Sequence, residues 1–192
     1  NFDGIEWAWL AFGSEGRDEQ TFSTDQDNGI VFACTDPAAV DGLKQRFLAF
    51  ALDTNKDLDR CGFPLCKGNI MASNPQWCLT LGEWKEQFSQ WIRMPHPDAL
   101  LNATIFFDFR ALFGKAELAD TMRRHLLVQT TANPMFLRCM AKNALDVEPP
   151  LGKIRDFLTD LEPDQPGKID LKKYGSRIFV DVARIYALAT GV

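Results

Sequence analysis

Histidine is scarce in this chain of 192 residues, which contains only His96 and His125, and its five cysteines are an odd number. An odd count does not complete the disulfide framework of a small secreted domain. Cys61 and Cys66 are too loosely spaced for the usual zinc knuckle, and the two histidines add few ligands. We therefore expect reduced thiols, no structural zinc site and a cytoplasmic location.

A long apolar run is also missing from the chain. No stretch approaches the roughly 18 apolar residues that a membrane span requires. The first residues lack the charged region and apolar stretch that mark a secretory signal. We therefore expect a soluble protein that does not bind membranes.

Positive charge is in deficit, because 21 lysines and arginines face 26 acidic residues and the net charge is -5. A negatively charged protein does not attract a phosphate backbone overall, and no basic stripe with interleaved aromatic residues is visible. The balance disfavours nucleic acid as a partner. A small molecule or a protein is the expected substrate.

Apolar residues are abundant, at 46% of the chain. This is ample for the core of one domain or of two closely packed subdomains. The chain opens almost directly on a strand-like run and closes on an apolar helical pattern, so we expect it to be a fragment of a longer protein.

The most informative segment is a small-residue turn followed by two acids. It reads Gly13-Ser14-Glu15-Gly16-Arg17-Asp18-Glu19-Gln20 and then Ser23-Thr24-Asp25-Gln26-Asp27-Asn28. Apolar, β-prone runs at 7–12 and 30–33 flank it and predict two strands. Because side chains alternate along an extended chain, Asp25 and Asp27 are expected to share one face at the start of the second strand.

Two such carboxylates require a cation or a shared proton to compensate their repulsion. At about 5 Å and an effective dielectric near 20, they repel by roughly 3 kcal/mol. A divalent ion removes this cost, and Mg²⁺ is commonly held by one or two carboxylates together with phosphate oxygens. Backbone N–H groups after Gly13, in a short helix that Ser14 is expected to cap, would face the same phosphates.

Two simpler interpretations compete for the acidic motif. Asp25-x-Asp27-Asn28-Gly29 could begin a calcium loop, but its glycine falls at the fifth rather than the sixth position. Asn28-Gly29 could instead form a hairpin turn, with the aspartates as solvated turn residues.

These residues carry a family resemblance. Gly13-Ser14, Gly16-Arg17, Glu19 and Asp25-x-Asp27 resemble the signature of the polymerase-beta-like nucleotidyltransferase superfamily. Within it, the chain is most similar to a bacterial family encoded behind cyclic-nucleotide-binding and CBS domains, and to the uridylyltransferase domain that modifies PII signalling proteins. The similarity extends through 61–66, 71–77 and 106–110 to the C-terminal helices.

The resemblance implies an α+β fold: a small mixed β-sheet nucleotidyltransferase core with flanking helices, residues 1–113, and a C-terminal helical subdomain, residues 114–192. It implies Mg²⁺ or Mn²⁺ as cofactor, held by Asp25 and Asp27. It assigns catalytic roles to Asp25, Asp27 and Asp108. It assigns nucleotide binding to the turn and its neighbours, namely Gly13, Ser14, Arg17 and Glu19.

Several of these roles have alternatives. Asp108 lies in an apolar run, so it either completes the metal site or accepts a proton, or else forms a structural ion pair with Arg110 or a distant lysine. Arg17 either steadies phosphates or pairs with Glu19. Lys67 and Arg110 are further basic candidates for the triphosphate.

Sequence patterns also predict the remaining elements. Asp36-Pro37 starts a helix that ends near Gly62, Thr80-x-x-Glu83 is a capping box, and the segment from Ala116 onward is helical. The runs 65–72 and 104–110 are predicted strands, 148–150 and 162–167 are predicted loops, and Arg123 to His125 are predicted to form a solvated face.

The implied function is transfer of a nucleoside monophosphate, for example uridylyl, from a nucleoside triphosphate to a hydroxyl acceptor on a protein, in signal transduction. In the full-length chain, attached CBS and cyclic-nucleotide-binding domains are expected partners. A second hypothesis is a catalytically inactive nucleotide-sensing module, and the weakest is transfer to nucleic acid.

Overall fold

The computed structural model describes residues 2–21, 24–146 and 169–192. Ser23 of the acidic motif and the predicted loops at 148–150 and 162–167 lie outside them. The chain forms two compact units, residues Asn1–Leu126 and Leu127–Val192, here called unit 1 and unit 2. The domain division predicted near Gly114 stays a prediction.

The described elements alternate between strands and helices in unit 1 and are helical in unit 2. In order they are β1 (Trp7–Phe12), α1 (Gly13–Gly16), β2 (Asn28–Phe32), α2 (Val40–Arg60), β3 (Cys78–Thr80), α3 (Leu81–Arg93), α4 (Pro97–Phe106), β4 (Phe109–Gly114), α5 (Ala116–Thr131), α6 (Pro134–Leu145) and α7 (Arg177–Thr190). A 3₁₀ turn, Pro37–Ala39, precedes α2, and a π-helical turn, Lys172–Ser176, precedes α7.

The four strands form one mixed sheet in the order β3-β2-β1-β4. β1 is antiparallel to both β2 and β4, whereas β2 and β3 are parallel and are joined through α2. The predicted strands at 7–12 and 30–33 are confirmed as β1 and β2, and the predicted α+β fold with a small mixed sheet is confirmed.

Helices cover both faces of the sheet, as the alternation of β1 requires. On one face, Trp9 and Phe32 contact Phe47 and Ala51 of α2. On the other face, the ring of Phe12 lies 4.7 Å from that of Phe106 in α4. Its distance to the Trp84 ring in α3 is 5.7 Å. Both faces are therefore largely buried at β1 and β2, whereas β4 is exposed over its last three residues.

Side-chain caps begin several helices, as the sequence predicts. The Asp36 carboxylate accepts from the Ala38 amide ahead of α2. Thr80 and Glu83 form the predicted capping box at α3. His96, for which the sequence suggests no structural role, caps α4 by accepting the Ala99 amide at Nδ1.

The strand predicted at 65–72 is wrong. This segment contains turns, with Asn69 at a positive φ of 55°, and Cys78–Thr80 supplies the third strand instead. Its backbone groups bind the acidic segment: the Ile70 carbonyl accepts from the Asn28 amide, and the Ala72 amide donates to the Asn28 side chain. These contacts replace a strand ladder.

The strand predicted at 104–110 begins too early. Residues 104–106 end α4, and β4 starts at Phe109. Ala99, Ala103 and Phe106 are buried at helical spacing, so packing against the sheet outweighs the β-propensity of this apolar run. Asp108 therefore lies in the turn before β4 and not inside a strand.

The solvated face predicted at 123–125 is also wrong for two of its three residues. Arg123 donates to the carbonyls of Phe107 and Phe109, and its guanidinium lies 4.2 Å from the centre of the Phe109 ring. His125 Nε2 lies 2.8 Å from Ser89 Oγ. Only Arg124 is exposed.

Unit 2 is helical where it is described, which confirms the helical pattern of the C-terminal region. Asn133 caps α6 by accepting the Phe136 amide. Ser176, whose side chain is a candidate cap for α7, precedes that helix but makes no capping hydrogen bond. In α7, the buried Asp181 and Arg184 pair at 2.5 Å, which neutralises both charges. In the described part of the chain, every helix is too short or too polar to cross a membrane.

Candidate active site

The sheet topology brings three chain segments together at one edge. β1 ends at Phe12, and its antiparallel neighbours β2 and β4 both begin at that same edge. The Phe12 amide donates to the Asp27 carbonyl, and the Gly13 amide donates to the Asp108 carbonyl, each at 2.9 Å. The turn at Gly13 is therefore flanked by Asp27 on one side and Asp108 on the other.

The two aspartates of the motif converge. One carboxylate oxygen each from Asp25 and Asp27 and the Cys66 sulfur all lie within 4.8 Å of one another. Asp25 is exposed, and the other two are half-buried. Asn28 and Gly29 are part of β2 and form no hairpin turn. The carboxylates therefore do share one face at the start of β2.

The opposite face of the same segment is held by buried amides. Gln26 and Asn28 alternate with the aspartates and are each only 3% exposed. The Asn55 amide of α2 donates to Gln26 Oε1 at 2.7 Å and to Asn28 Oδ1 at 3.1 Å. Sequence reasoning missed Asn55, although a polar residue continuing the Phe47 and Ala51 stripe of α2 is a readable signal.

Cys66 reaches the aspartates from the turn-rich segment after α2. Burial raises the pKa of its thiol, and a hydrogen bond with Asp27 together with the negative charge of Asp27 adds to this, while backbone hydrogen bonds with Ile70 and Gly68 oppose it. A protonated thiol donates to a carboxylate, so Cys66 supports Asp27 when no cation is present. From the sequence, Cys66 is only a poor candidate for a zinc ligand, because its approach to the aspartates depends on the path of residues 61–73.

The helix α1 is short and lies tightly against the turn before β4. Gly13, at a φ of 59°, opens it, and its cap position is Phe12, so the expected cap by Ser14 is wrong. A Cβ on Gly16 would lie 2.3 Å from the Asp108 carbonyl oxygen. Only glycine permits this approach.

Glu15 contributes a further acid beside the pair. Burial raises the pKa of the Glu15 carboxyl; Arg110 opposes this, and Asp27 and Asp18 add to it. Arg110 itself donates to the Glu15 carbonyl at 2.8 Å and pairs with Asp18 at 3.0 Å. It therefore braces α1 in this structure, while Lys67 is an exposed neighbour of Cys66.

Arg17 pairs with two acids. Its Nε lies 2.9 Å from Glu19, and its terminal nitrogen lies 2.5 Å from Asp108 Oδ2. Asp108 thus does form an ion pair, but the partner that the structure shows is Arg17, which the sequence did not suggest for it. Asp108 is near the Gly13 turn but does not belong to the Asp25, Asp27 and Cys66 group.

A cavity of about 390 Å³ opens beside the acidic segment. Its volume lies within the range of small-molecule sites. Its lining comes from the residues before Asp25 and after α2, namely Gln20, Thr21, Thr24, Cys61, Gly62 and Phe63.

Comparison with protein families matches both ends of the chain. Residues 2–98 match the family described as "Putative nucleotidyltransferase DUF294", and residues 134–192 match its "Putative nucleotidyltransferase substrate binding domain". The chain belongs to this nucleotidyltransferase family. Searches of curated proteins and of solved structures found no match.

The family match covers the whole acidic site, since the turn, both aspartates, Asn55 and Cys66 lie within residues 2–98. Nucleotidyltransferases typically use divalent metals, and two converging carboxylates suit Mg²⁺ or Mn²⁺. The thiol is a softer donor, which suits thiophilic metals better. The donor set therefore fits a divalent ion held by Asp25 and Asp27, and their assignment as metal ligands stays a prediction.

Proposed function

We propose that this protein transfers a nucleoside monophosphate from a nucleoside triphosphate to a hydroxyl acceptor and releases pyrophosphate. The observation that carries the proposal is the convergence of the Asp25 and Asp27 carboxylates beside the Gly13 turn. Membership of the nucleotidyltransferase family supports the same reaction class.

Each residue of the site has a role in this proposal. Asp25 and Asp27 hold Mg²⁺ or Mn²⁺, which, when bound, neutralises the charge of the triphosphate and of the departing pyrophosphate. Gly13 and Ser14 let the backbone approach the phosphates. Arg17, with Glu19 and Asp108, keeps α1 and the turn before β4 at a constant separation.

Positioning is the main task of such a site. In-line displacement at the α-phosphorus needs the attacking hydroxyl and the leaving pyrophosphate on opposite sides, and holding them there lowers the barrier. The sheet edge suits this task because helices cover β1 and β2, the strands that meet at the turn and the acids. Residues 134–192, in the substrate-binding match, are the proposed site of substrate recognition.

The finer assignments rest on the resemblance of the motifs. We propose that the nucleotide is uridylyl, that the acceptor is a protein side chain, and that the reaction serves signal transduction in the cytoplasm. We also propose that CBS and cyclic-nucleotide-binding domains are attached in the full-length chain.

The decisive experiment screens the four nucleoside triphosphates with Mg²⁺ or Mn²⁺ for pyrophosphate release and for thermal stabilisation. Asp25→Asn and Asp27→Asn are expected to remove the metal-dependent signal in both assays. Asp53→Asn is the matched control, since it removes an exposed charge from α2, outside the site. Retention of metal-dependent activity by both site variants would contradict the proposal.

One observation favours a second function, a nucleotide sensor without turnover. Asp108, the candidate third carboxylate, is paired with Arg17 instead of grouped with Asp25 and Asp27. A sensor would bind the triphosphate through Asp25 and Asp27 but release no pyrophosphate with any of a panel of protein acceptors. The same screen therefore separates the two functions.

A further inference from the structure

We infer that Asn55 is a positioning residue, which aligns the Asp25 and Asp27 carboxylates through the buried amides of Gln26 and Asn28. The inference rests on the proposed function, because it concerns the geometry of the same metal-binding acids. Asn55 lies on α2, some 30 residues away along the chain, and does not belong to the acidic group.

Side chains alternate between the two faces of the segment that carries the acids. Asp25 and Asp27 point to the site, while Gln26 and Asn28 point into the core, where they are 3% exposed. In an extended chain, successive side chains project to opposite faces, so a rotation of the segment about its axis turns both sets together. The orientation of the two buried amides therefore sets the orientation of the two carboxylates.

Asn55 connects both buried amides. Its side-chain nitrogen donates to Gln26 Oε1 and to Asn28 Oδ1, at 2.7 and 3.1 Å. Asn55 is 1% exposed, so no water competes for these bonds. One side chain on a rigid helix of 21 residues thus holds both inward-facing members of the motif.

The same network also binds the segment that carries Cys66. Gln26 Nε2 donates to the Phe63 carbonyl at 2.7 Å, and Asn28 Oδ1 accepts from the Ala72 amide at 2.8 Å. Asn55 Oδ1 accepts from the Ser73 amide at 3.3 Å. The network therefore sets the relative positions of the two aspartates and of the thiol beside them.

A network of this kind is expected to matter for affinity as well as for folding. Partners that orient metal ligands typically contribute 10- to 100-fold to metal affinity or activity. Asn55→Asp keeps the shape and the acceptor oxygen but removes both donor N–H groups of the side chain. Asn55→Leu removes every hydrogen bond of the side chain, while the Asn55 backbone carbonyl still accepts from Gln26 Nε2. We expect Mn²⁺ affinity to fall at least about 10-fold in each.

The Mn²⁺ affinity of the whole chain is measured by titration, with electron paramagnetic resonance reporting the free Mn²⁺. The titrations are made at a temperature far below unfolding. Ser89→Ala is the control, because Ser89 is also buried in unit 1 but bonds His125 and none of the network residues. If the site is active, the Asn55 variants should raise the metal concentration needed for half-maximal rate, with most of kcat restored at saturating metal. Hydrogen exchange of the Ala72 amide should quicken in the Asn55 variants and stay unchanged in Ser89→Ala.

The outcomes separate the inference from the proposed function. Unchanged Mn²⁺ affinity in folded Asn55 variants, with only a lower melting temperature, overturns the positioning role and leaves the proposed function intact. If the wild-type protein binds no Mn²⁺, just as is expected of Asp25→Asn and Asp27→Asn, the proposed function is overturned and the inference with it. If the Asn55 variants do not fold, Gln26→Met is tested in their place. This substitution removes the two N–H donors of Gln26 from the network, and the same fall in Mn²⁺ affinity is expected.

Discussion

At the scale of single residues, the closest backbone approach at the site is that of Gly16. A Cβ there would meet the carbonyl oxygen and carbon of Asp108, at 2.3 and 2.8 Å, and these backbone atoms cannot rotate away. Gly16→Ala is therefore expected to lower the free energy of unfolding by about 1–3 kcal/mol, since overpacking forces the backbone to shift. Urea denaturation followed by circular dichroism measures the change.

Gly42→Ala is the matched control for this substitution. Gly42 lies in α2 and has no atom within 4 Å of a built Cβ. Because alanine has a higher helix propensity than glycine, we expect Gly42→Ala to raise the free energy of unfolding by up to about 1 kcal/mol. Equal effects of the two substitutions would show that α1 is not held tightly against the turn before β4.

Arg17 and Asp108 provide a second prediction at this scale. Their 2.5 Å contact implies that the two side chains act as one unit. Arg17→Gln and Asp108→Asn are therefore expected to lower activity by similar factors, and the double variant to be little worse than either. In a double-mutant cycle of stability, the coupling free energy should lie within about 0.5–3 kcal/mol.

The alternative role of Asp108 gives a different result. If Asp108 is a metal ligand, Asp108→Asn alone abolishes metal-dependent binding, while Arg17→Gln leaves Mn²⁺ affinity nearly unchanged. Mn²⁺ titration of the two single variants distinguishes a ligand from a brace. The role of Asp108 as a third catalytic carboxylate stays a prediction until then.

At the scale of elements, His125 links α5 to α3. Its Nε2 lies 2.8 Å from Ser89 Oγ and 3.1 Å from the Lys85 carbonyl oxygen. Burial lowers the pKa of His125, and the hydrogen bond with the Lys85 carbonyl opposes this only in part; the nearby charges of Lys85 and Glu86 act in opposite directions. The neutral imidazole is thus the form that the folded protein favours.

This shift predicts how stability depends on pH. Because the pKa is lower in the folded state, the unfolded chain takes up a proton first as the pH falls. The stabilisation is fully present above the unfolded pKa of about 6.5 and is lost as the pH falls from there toward the folded pKa. Between pH 7.5 and 5.5, His125→Gln should lose less unfolding free energy than the wild type.

Arg124→Gln is the control on the same helix, because it removes an exposed charge that does not titrate in this range. Urea unfolding of the three proteins at the two pH values gives the three differences required. A His125→Gln variant that follows the wild type would mean that other groups account for the pH dependence.

At the scale of the whole molecule, aromatic residues are divided between the two units. All five tryptophans lie within residues 1–126, and both tyrosines, Tyr174 and Tyr186, lie within 127–192. Tryptophan fluorescence therefore reports on unit 1, which carries the acidic site, whereas far-ultraviolet circular dichroism reports on both units. The two probes allow ligand effects to be assigned to one unit.

Ligand binding is expected to raise the tryptophan-detected melting temperature. At a hundred times its dissociation constant, a nucleoside triphosphate with Mn²⁺ adds about 2.7 kcal/mol, or roughly 5–11 °C for a chain of this size. Asp27→Asn should abolish the shift and Asp53→Asn should keep it. A shift that survives in Asp27→Asn would place the nucleotide elsewhere.

Local chemistry explains what the sequence predicts well. β1 and β2 follow from β-prone runs, α3 from the Thr80 and Glu83 capping box, and the shared face of Asp25 and Asp27 from their spacing. Each depends on residues within a few positions of one another. Local preference is sufficient there because packing reinforces it.

The sequence by itself therefore determined the α+β character, the strands around the motif and the acidic pair. Only the tertiary structure decided that Asn55 supports the pair, that Cys66 joins it, that Arg17 is the partner of Asp108, and that residues 104–106 are helical. The physical reason is that these features depend on contacts between segments distant in the chain. Such contacts override local propensity, and apart from the polar Asn55 in an apolar stripe the pattern of these residues does not indicate them.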